Sequence, residues 1–306
     1  MASESSSSTF RIAATAAVIG AASLIAYKAR PRKPPQEETW ESHCTGHSPL
    51  QPVWPDILWV VEAKGCSRGP PTRNMVIYRV PDGSKRLVVY NGIAVDEPTI
   101  SQIEDLGIPS VLVVPNYYHR CCAAVWKKRY PNIMVVSPQA ARDNASKVVV
   151  VDDTTDSWSR MPEWNEWIHV KSIDGLGDFE DILEVELEES HAGKKAVIVC
   201  DLLFTMPYDV KGGYGMKFLE WVFDSSITLP PEGQIVVPKV ARFSRIFGIE
   251  DWPKAEQWYR TYAREHGRSI AVIVVGHGVV VKELDPDKGC TEALEGVADQ
   301  LTKPRW

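Results

Sequence analysis

At three places polar side chains stand where runs of aliphatic residues give out. VLVVPNYYHR carries Asn116 and His119 just past a strand-like run, VIVCDLLF carries Asp201, and AVIVVGHGVVV holds His277 between Gly276 and Gly278. One carboxylate and two imidazoles are a donor set that can bind a zinc or iron ion and leave a position open for water. Residues so far apart in the chain meet only if strands bring their ends together. A layered α/β fold does this, because its sheets fix side chains at strand ends while the loops admit solvent.

Other constellations carry weaker chemistry. His43-Cys44-x-x-His47 places three donors close together in a proline-rich stretch, but no fourth stands at finger spacing. The DDTTD run at 152–156 could hold a hard cation, although an acidic loop after a strand is ordinarily just solvated. Gly175-Leu176-Gly177 lacks the third glycine of a dinucleotide loop and reads as a turn. Arg120 beside Cys121 could lower a thiol pKa at a helix N-terminus. Asn144-Ala145-Ser146 is a glycosylation sequon that counts only if the domain faces a lumen.

The elements that must position these groups follow from pattern. RNMVIYRV and KRLVVYN read as strands about a PDGS turn, and EPTISQIEDLG as a helix ended by Gly107. SVLVVP, NIMVVS and KVVVV are short β-branched runs, the first two flanking the helical HRCCAAVWKKRY, which is a β-α-β rhythm with buried parallel strands. EWIHVKSID, DILEVELEE and KKAVIVCDLLF suggest meandering strands. A helix from Asp251 to His266 sets Trp252, Ala255, Tyr259 and Tyr262 at helical spacing before another buried strand. Residues 34–72 read as a proline-rich linker and lead-in, with WPDILWVVE its one strand-like piece. The globular domain is therefore expected over 73–306.

In this order the three polar segments resemble the metallo-β-lactamase superfamily, whose members carry a metal-binding loop between a strand and a helix, then an aspartate at a strand end, then a histidine in a GHG-like turn. The resemblance spans roughly residues 73–282 and extends to a divergent branch that reads PN-x-x-H in place of the metal loop. It implies a four-layer αβ/βα sandwich of α/β (α+β) class. His277 would be the last metal ligand, Asp201 the bridging carboxylate, and His119 the remnant of the loop. Asn116, Tyr118, Gly276 and Gly278 would line the cleft. The departures are equally plain. The family's active enzymes write the loop His-x-His-x-Asp-His, whereas here it is Asn116-Tyr117-Tyr118-His119-Arg120-Cys121. Tyr90-Asn91-Gly92 stands where an aspartate precedes glycine, and SIDGLGDFEDILEVE contains no middle histidine. His169 lies too early and reads as an ordinary strand residue. So sparse a ligand set implies a domain that binds a small-molecule or protein ligand, with little or no catalysis. No cofactor is expected, His119 capping its own helix and His277 pairing with Asp201. The alternative is one zinc or iron ion and hydrolysis of an ester, thioester or phosphoester.

Composition narrows the partners. A net charge of −6 gives no basic surface of the kind that neutralises phosphates, which excludes nucleic acid as principal partner. Six cysteines, two of them adjacent, form no disulfide framework and fit a reducing compartment. Residues 1–33 read as a separate targeting segment, with 16 uncharged, mostly apolar residues at 12–27 followed by Lys28, Arg30, Arg32 and Lys33. That is short against the roughly 20 residues of a spanning helix. The basic flank places the domain on the cytosolic side of a signal anchor. The composition resembles anchors of the mitochondrial outer membrane, with a cleaved organelle-import peptide as the alternative.

Overall fold

A computed structural model describes residues 39–64, 72–175, 179–188, 193–205, 235, 237, 251–283 and 285–302. The chain divides into two units, Met1–Glu38 and Thr39–Trp306. The anchor expected at 12–27 and most of the Gly175-Leu176-Gly177 turn lie outside the described residues, among which no helix is long and apolar enough to cross a membrane.

The second unit is built on two sheets. The first has seven strands in chain order: β1 (Gln51–Trp54), β2 (Leu58–Lys64), β3 (Thr72–Arg79), β4 (Arg86–Tyr90), β5 (Ile108–Val113), β6 (Met134–Ser137) and β7 (Asp153–Thr154). β1 to β4 run antiparallel and β4 to β7 parallel, the first two parallel steps being crossed by helices α1 (Glu97–Leu106) and α2 (Ala123–Arg129). The second sheet contains β8 (Ile168–Lys171), β9 (Ile182–Glu186), β10 (Lys195–Thr205), β11 (Ile270–Gly278) and β12 (Val281–Lys282), in the order β12-β11-β10-β9-β8. β10 and β11 are parallel and the other pairs antiparallel.

Alternation along the strands sorts the apolar residues into three cores. Val60, Val76, Tyr78, Val88 and Val111 of the first sheet face Leu183, Val185, Ile198, Val272 and Val274 of the second. The opposite face of the first sheet packs Ile77, Val89 and Leu112 on Ile100 and Ile103 of α1 and Trp126 of α2. The outer face of the second packs Val197, Val199, Ile273 and Val275 on α3 (Trp252–His266) and α4 (Thr291–Thr302), through Tyr259, Tyr262, Leu294 and Val297. Helices, sheet, sheet and helices make the four layers expected.

Two expectations need correction. Residues 51–64 are no lead-in: β2 pairs with β3 from Leu58↔Tyr78 to Lys64↔Thr72, so the fold takes in residues well before 73. The prolines that suggested a linker are accommodated because Pro52 sits on β1, an edge strand, where a missing N–H costs the sheet little. KVVVV at 147–151 is not a strand either. It forms turns that leave Val148 and Val150 exposed, and the next parallel partner of β6 is the two-residue β7.

Candidate functional site

The site lies between the sheets, at the ends of strands from both. β5 runs into a buried Asn116, whose Oδ1 accepts from the backbone N–H groups of Tyr118 (2.9 Å) and His119 (3.1 Å). Such an asparagine turn folds the chain back on itself and aims His119 inward. Asp201 comes from a break in β10. Val199 lies opposite Val275 and Phe204 opposite His277, and the register shift between them takes Cys200 and Asp201 out of the ladder. Bulges of this kind commonly re-aim side chains at sites. His277 ends β11 beside Gly278, whose φ of +114° no other residue adopts comfortably and whose Cβ would collide with the Thr205 carbonyl. Asn74 of β3 donates from Nδ2 to the carbonyls of Val275 (2.8 Å) and Gly278 (2.7 Å), tying this turn to the first sheet.

Three donor atoms converge. His119 Nε2 is 3.1 Å and His277 Nε2 3.0 Å from Asp201 Oδ1, and the two nitrogens are 3.2 Å apart. All three residues are buried, at 8%, 6% and 1% exposure for His119, Asp201 and His277. His119 thus does not spend its ring on its own helix, as the sequence reading expected. The loop closed by Asn116 carries it across to Asp201. Tyr118 is half exposed, packed with Tyr117 and Phe179 in an aromatic group beside the loop, and Gly276 lies against Cys200.

The surrounding shell contains groups the sequence reading missed. Asn91, in the left-handed region at φ +57°, donates from Nδ2 to the Asn74 carbonyl (2.7 Å), which fixes its amide. Its Oδ1 accepts from the buried Arg73 Nε (3.1 Å), so His119 Nδ1, 2.9 Å away, must be the donor there. In the neutral imidazole that leaves a lone pair on Nε2, pointing at Asp201 and His277. Glu180 lies in the stretch where the resemblance implied a histidine. Its carboxylate accepts from the Cys200 N–H at Oε1, and from the Asp201 N–H (2.8 Å) and Asn116 Nδ2 (2.9 Å) at Oε2. Asn116 Nδ2 also donates to Asp201 Oδ2 at 3.0 Å. The one signal that could have found Glu180 is an acid placed just before a wholly buried strand.

The electrostatics match this geometry. Burial disfavours the Asp201 charge, yet His119 and His277 outweigh it and hold the carboxyl well below the usual range. Burial lowers His119 although Asp201 pulls the other way. Burial and the Asp201 charge push Glu180 up to about 8, opposed by its N–H donors. Without an ion, only an N–H from His277 Nε2 could hold the three atoms together. A cation satisfies all of them at once. Tetrahedral bonds of about 2.0–2.1 Å put ligand atoms roughly 3.3 Å apart, close to the spacings found, so the donor set fits a metal.

The other sequence candidates are not brought together as sites. His47 accepts the Asp96 N–H at Nε2 (3.0 Å), and its Nδ1 faces the Ser48 carbonyl (2.8 Å), leaving neither nitrogen for a metal. His43 Nδ1 lies 3.1 Å from the Thr39 carbonyl and Cys44 stays half-buried. His169 lies 3.3 Å from Glu186 on β8, as an ordinary strand residue can. Among the described residues a single group of three or more potential ligands is close enough to hold an ion: His119, Cys200, Asp201 and His277.

No family model matches the sequence, and no curated protein does. The fold, however, is similar to solved structures. The DIM-1 metallo-β-lactamase exposed to ceftazidime matches 83% of this chain and 97% of its own at 9% identity, with a TM-score of 0.50. A second DIM-1 crystal structure matches 84% and 100% at 8% identity and 0.50. The FIM-1 enzyme from Pseudomonas aeruginosa, in its mono-zinc form, matches 86% and 99% at 10% identity and 0.49.

Proposed function

The chain has the metallo-β-lactamase fold, and on that frame we propose that His119, Asp201 and His277 hold one divalent metal ion in a domain that binds a ligand or partner with at most weak hydrolysis. The observation that carries this reading is the mutual 3.0–3.2 Å spacing of the three buried donor atoms. A bound ion would supply Lewis acidity toward a carbonyl or phosphoryl oxygen and would make water more nucleophilic near neutral pH. The residues of this chain do the rest. Asn91 fixes the His119 tautomer, and Asn116 holds the loop and the second oxygen of Asp201. Asn74 holds the His277 turn.

Weak chemistry follows from the same contacts. Asp201 Oδ1 faces both imidazoles and its Oδ2 accepts from Asn116, while both Glu180 oxygens accept N–H donors, so each carboxylate of the site is already engaged. Asn116, at the head of the loop where the resemblance implies a histidine, spends all its polar atoms on scaffold. A mononuclear hydrolase of an ester, thioester or phosphoester is the second reading, favoured by the position that three ligands leave open. Residues 12–27 hold the domain at a membrane, the mitochondrial outer membrane fitting the moderate apolarity and basic flank, with the domain in the cytosol.

Thermal unfolding of the chelator-treated protein tests the metal. Zinc at about 1,000 times its Kd should stabilise it by about 4 kcal/mol. The same addition should do nothing to His277→Ala. Equal response of the two proteins, or none in either, would refute the assignment.

A further inference from the structure

Four potential donors, not three, meet at this site. We infer that the Cys200 thiolate is a fourth ligand, which makes the ion zinc and closes its coordination sphere. The inference rests on the metal reading above and goes beyond the ligands the resemblance implied.

Position argues first. The Cys200 side chain is fully buried and points into the core between the sheets, the layer that contains the triad. Its Sγ lies 4.0 Å from Asp201 Oδ1, and all four donor atoms lie within 4.8 Å of one another. With metal–sulfur bonds of about 2.3 Å and metal–oxygen bonds of about 2.0 Å, a tetrahedron sets sulfur about 3.5 Å from oxygen. The widest separation in the group, up to 4.8 Å, must close to about the same value, so a movement of roughly one ångström by the Cys200 side chain in its strand bulge completes the set.

A second observation is independent of those distances. Gly276, the residue before the last ligand, provides the room in which the sulfur sits: a Cβ there would come 2.5 Å from Sγ and 2.8 Å from the Cys200 Cα. β11 thus yields its side chain where the thiol needs space, and the next residue is His277. The Cys200 N–H is fixed by Glu180 Oε1, so the backbone that carries the sulfur is anchored independently of the metal.

The chemistry is simple exchange. When the ion binds, the Sγ–H bond breaks, the proton leaves to solvent, and the sulfur electron pair forms the Sγ–metal bond. Nothing is oxidised or reduced. The ion itself drives this proton off, because the thiolate and not the thiol is the ligand. Thiolate with two imidazoles and a carboxylate favours zinc over the oxygen-seeking divalent ions, and four protein ligands leave no position for water. The ion then ties the loop after β5 to β10 and β11 as a structural clamp.

Cobalt(II) reports each ligand without any assay of activity. The full-length protein, stripped of metal and titrated with cobalt, should bind one equivalent with intense visible bands of tetrahedral geometry and a near-ultraviolet charge-transfer band from one thiolate. In Cys200→Ser that band should vanish and cobalt affinity should fall by at least about 100-fold, since even outer-shell losses cost about 10- to 100-fold. Zinc binding by the wild-type chain should also release one proton more than binding by Cys200→Ser, read with an indicator dye. One equivalent of tightly bound cobalt without a thiolate band would overturn the fourth ligand and leave the three-ligand site standing. Should Cys200→Ser fail to fold, the wild-type spectrum alone decides. Absence of any cobalt or zinc binding by the wild-type chain would overturn both readings.

Discussion

Replacing Asn116 with aspartate keeps the shape of the side chain and changes only the sign of one face. The wild-type Nδ2 donates to Glu180 Oε2 at 2.9 Å and to Asp201 Oδ2 at 3.0 Å in a buried site, the bond to Asp201 being charge-assisted. A hydrogen bond to a charged group contributes about 1.5–3 kcal/mol and a neutral one about 0.5–1.5 kcal/mol, so losing both costs about 2–4.5 kcal/mol before the repulsion of an added carboxylate is counted. The opposite face, Oδ1 accepting from Tyr118 and His119, survives the change. Against the total stability of a domain, about 5–15 kcal/mol, Asn116→Asp should be near unfolding at pH 8. The introduced carboxyl would titrate in the folded protein well above its unfolded value of about 3.9. The part of its penalty that comes from ionisation is therefore absent below that value, grows as pH rises, and is complete above the folded pKa. Urea unfolding of metal-free wild type and Asn116→Asp at pH 5 and pH 8 measures it. A loss below about 1 kcal/mol at pH 8, or one equal at the two pH values, would refute the idea that this amide holds two carboxylates together.

Three further substitutions have defined outcomes. Asn74→Ala removes two neutral bonds that pin the His277 turn across the sheets, and denaturant unfolding should show a loss of about 1–3 kcal/mol together with weaker zinc binding. Tyr90→Phe should be neutral or stabilising by up to about 1 kcal/mol in the same assay, because the buried Tyr90 hydroxyl has no hydrogen-bond partner among the described residues; a marked loss would mean that another group, a bound water or a ligand satisfies it. Gly20→Arg places a charge in the middle of 12–27 at a cost of roughly 3 kcal/mol and should move the protein from the membrane pellet to the supernatant. An unchanged pellet fraction, or a mature chain that begins beyond Lys28, would end the anchor reading.

What was legible in the sequence, and what was not, divides along physical lines. His277 and Asp201 could be found because polar residues at the ends of aliphatic strands are rare, and a layered fold forces such ends together. The order of strands from β3 to β6 and from β8 to β11 followed from alternation and turns, which are local. The direction of the His119 ring did not, because it depends on Asn116 accepting two N–H groups and on Asn91 oriented by Arg73 and Asn74, contacts that join three segments. Glu180 was invisible for a similar reason. An acid in an acidic loop reads as solvated, and only the bulge in β10 supplies the N–H groups that justify its burial. Cys200 looked like one more apolar residue of its run. β1 was hidden by prolines that an edge strand tolerates, β2 was legible as a strand-like piece but not as part of the first sheet, and KVVVV misled because β-branched composition alone does not provide a partner strand.

Whether His119, Asp201 and His277 hold a metal is read most directly from the metal content of the protein purified without added metal and dialysed. Close to one equivalent of zinc per chain is expected, falling to near zero in His277→Ala. Wild-type protein with far less than one equivalent after dialysis, or zinc retained unchanged in His277→Ala, would contradict the metal assignment.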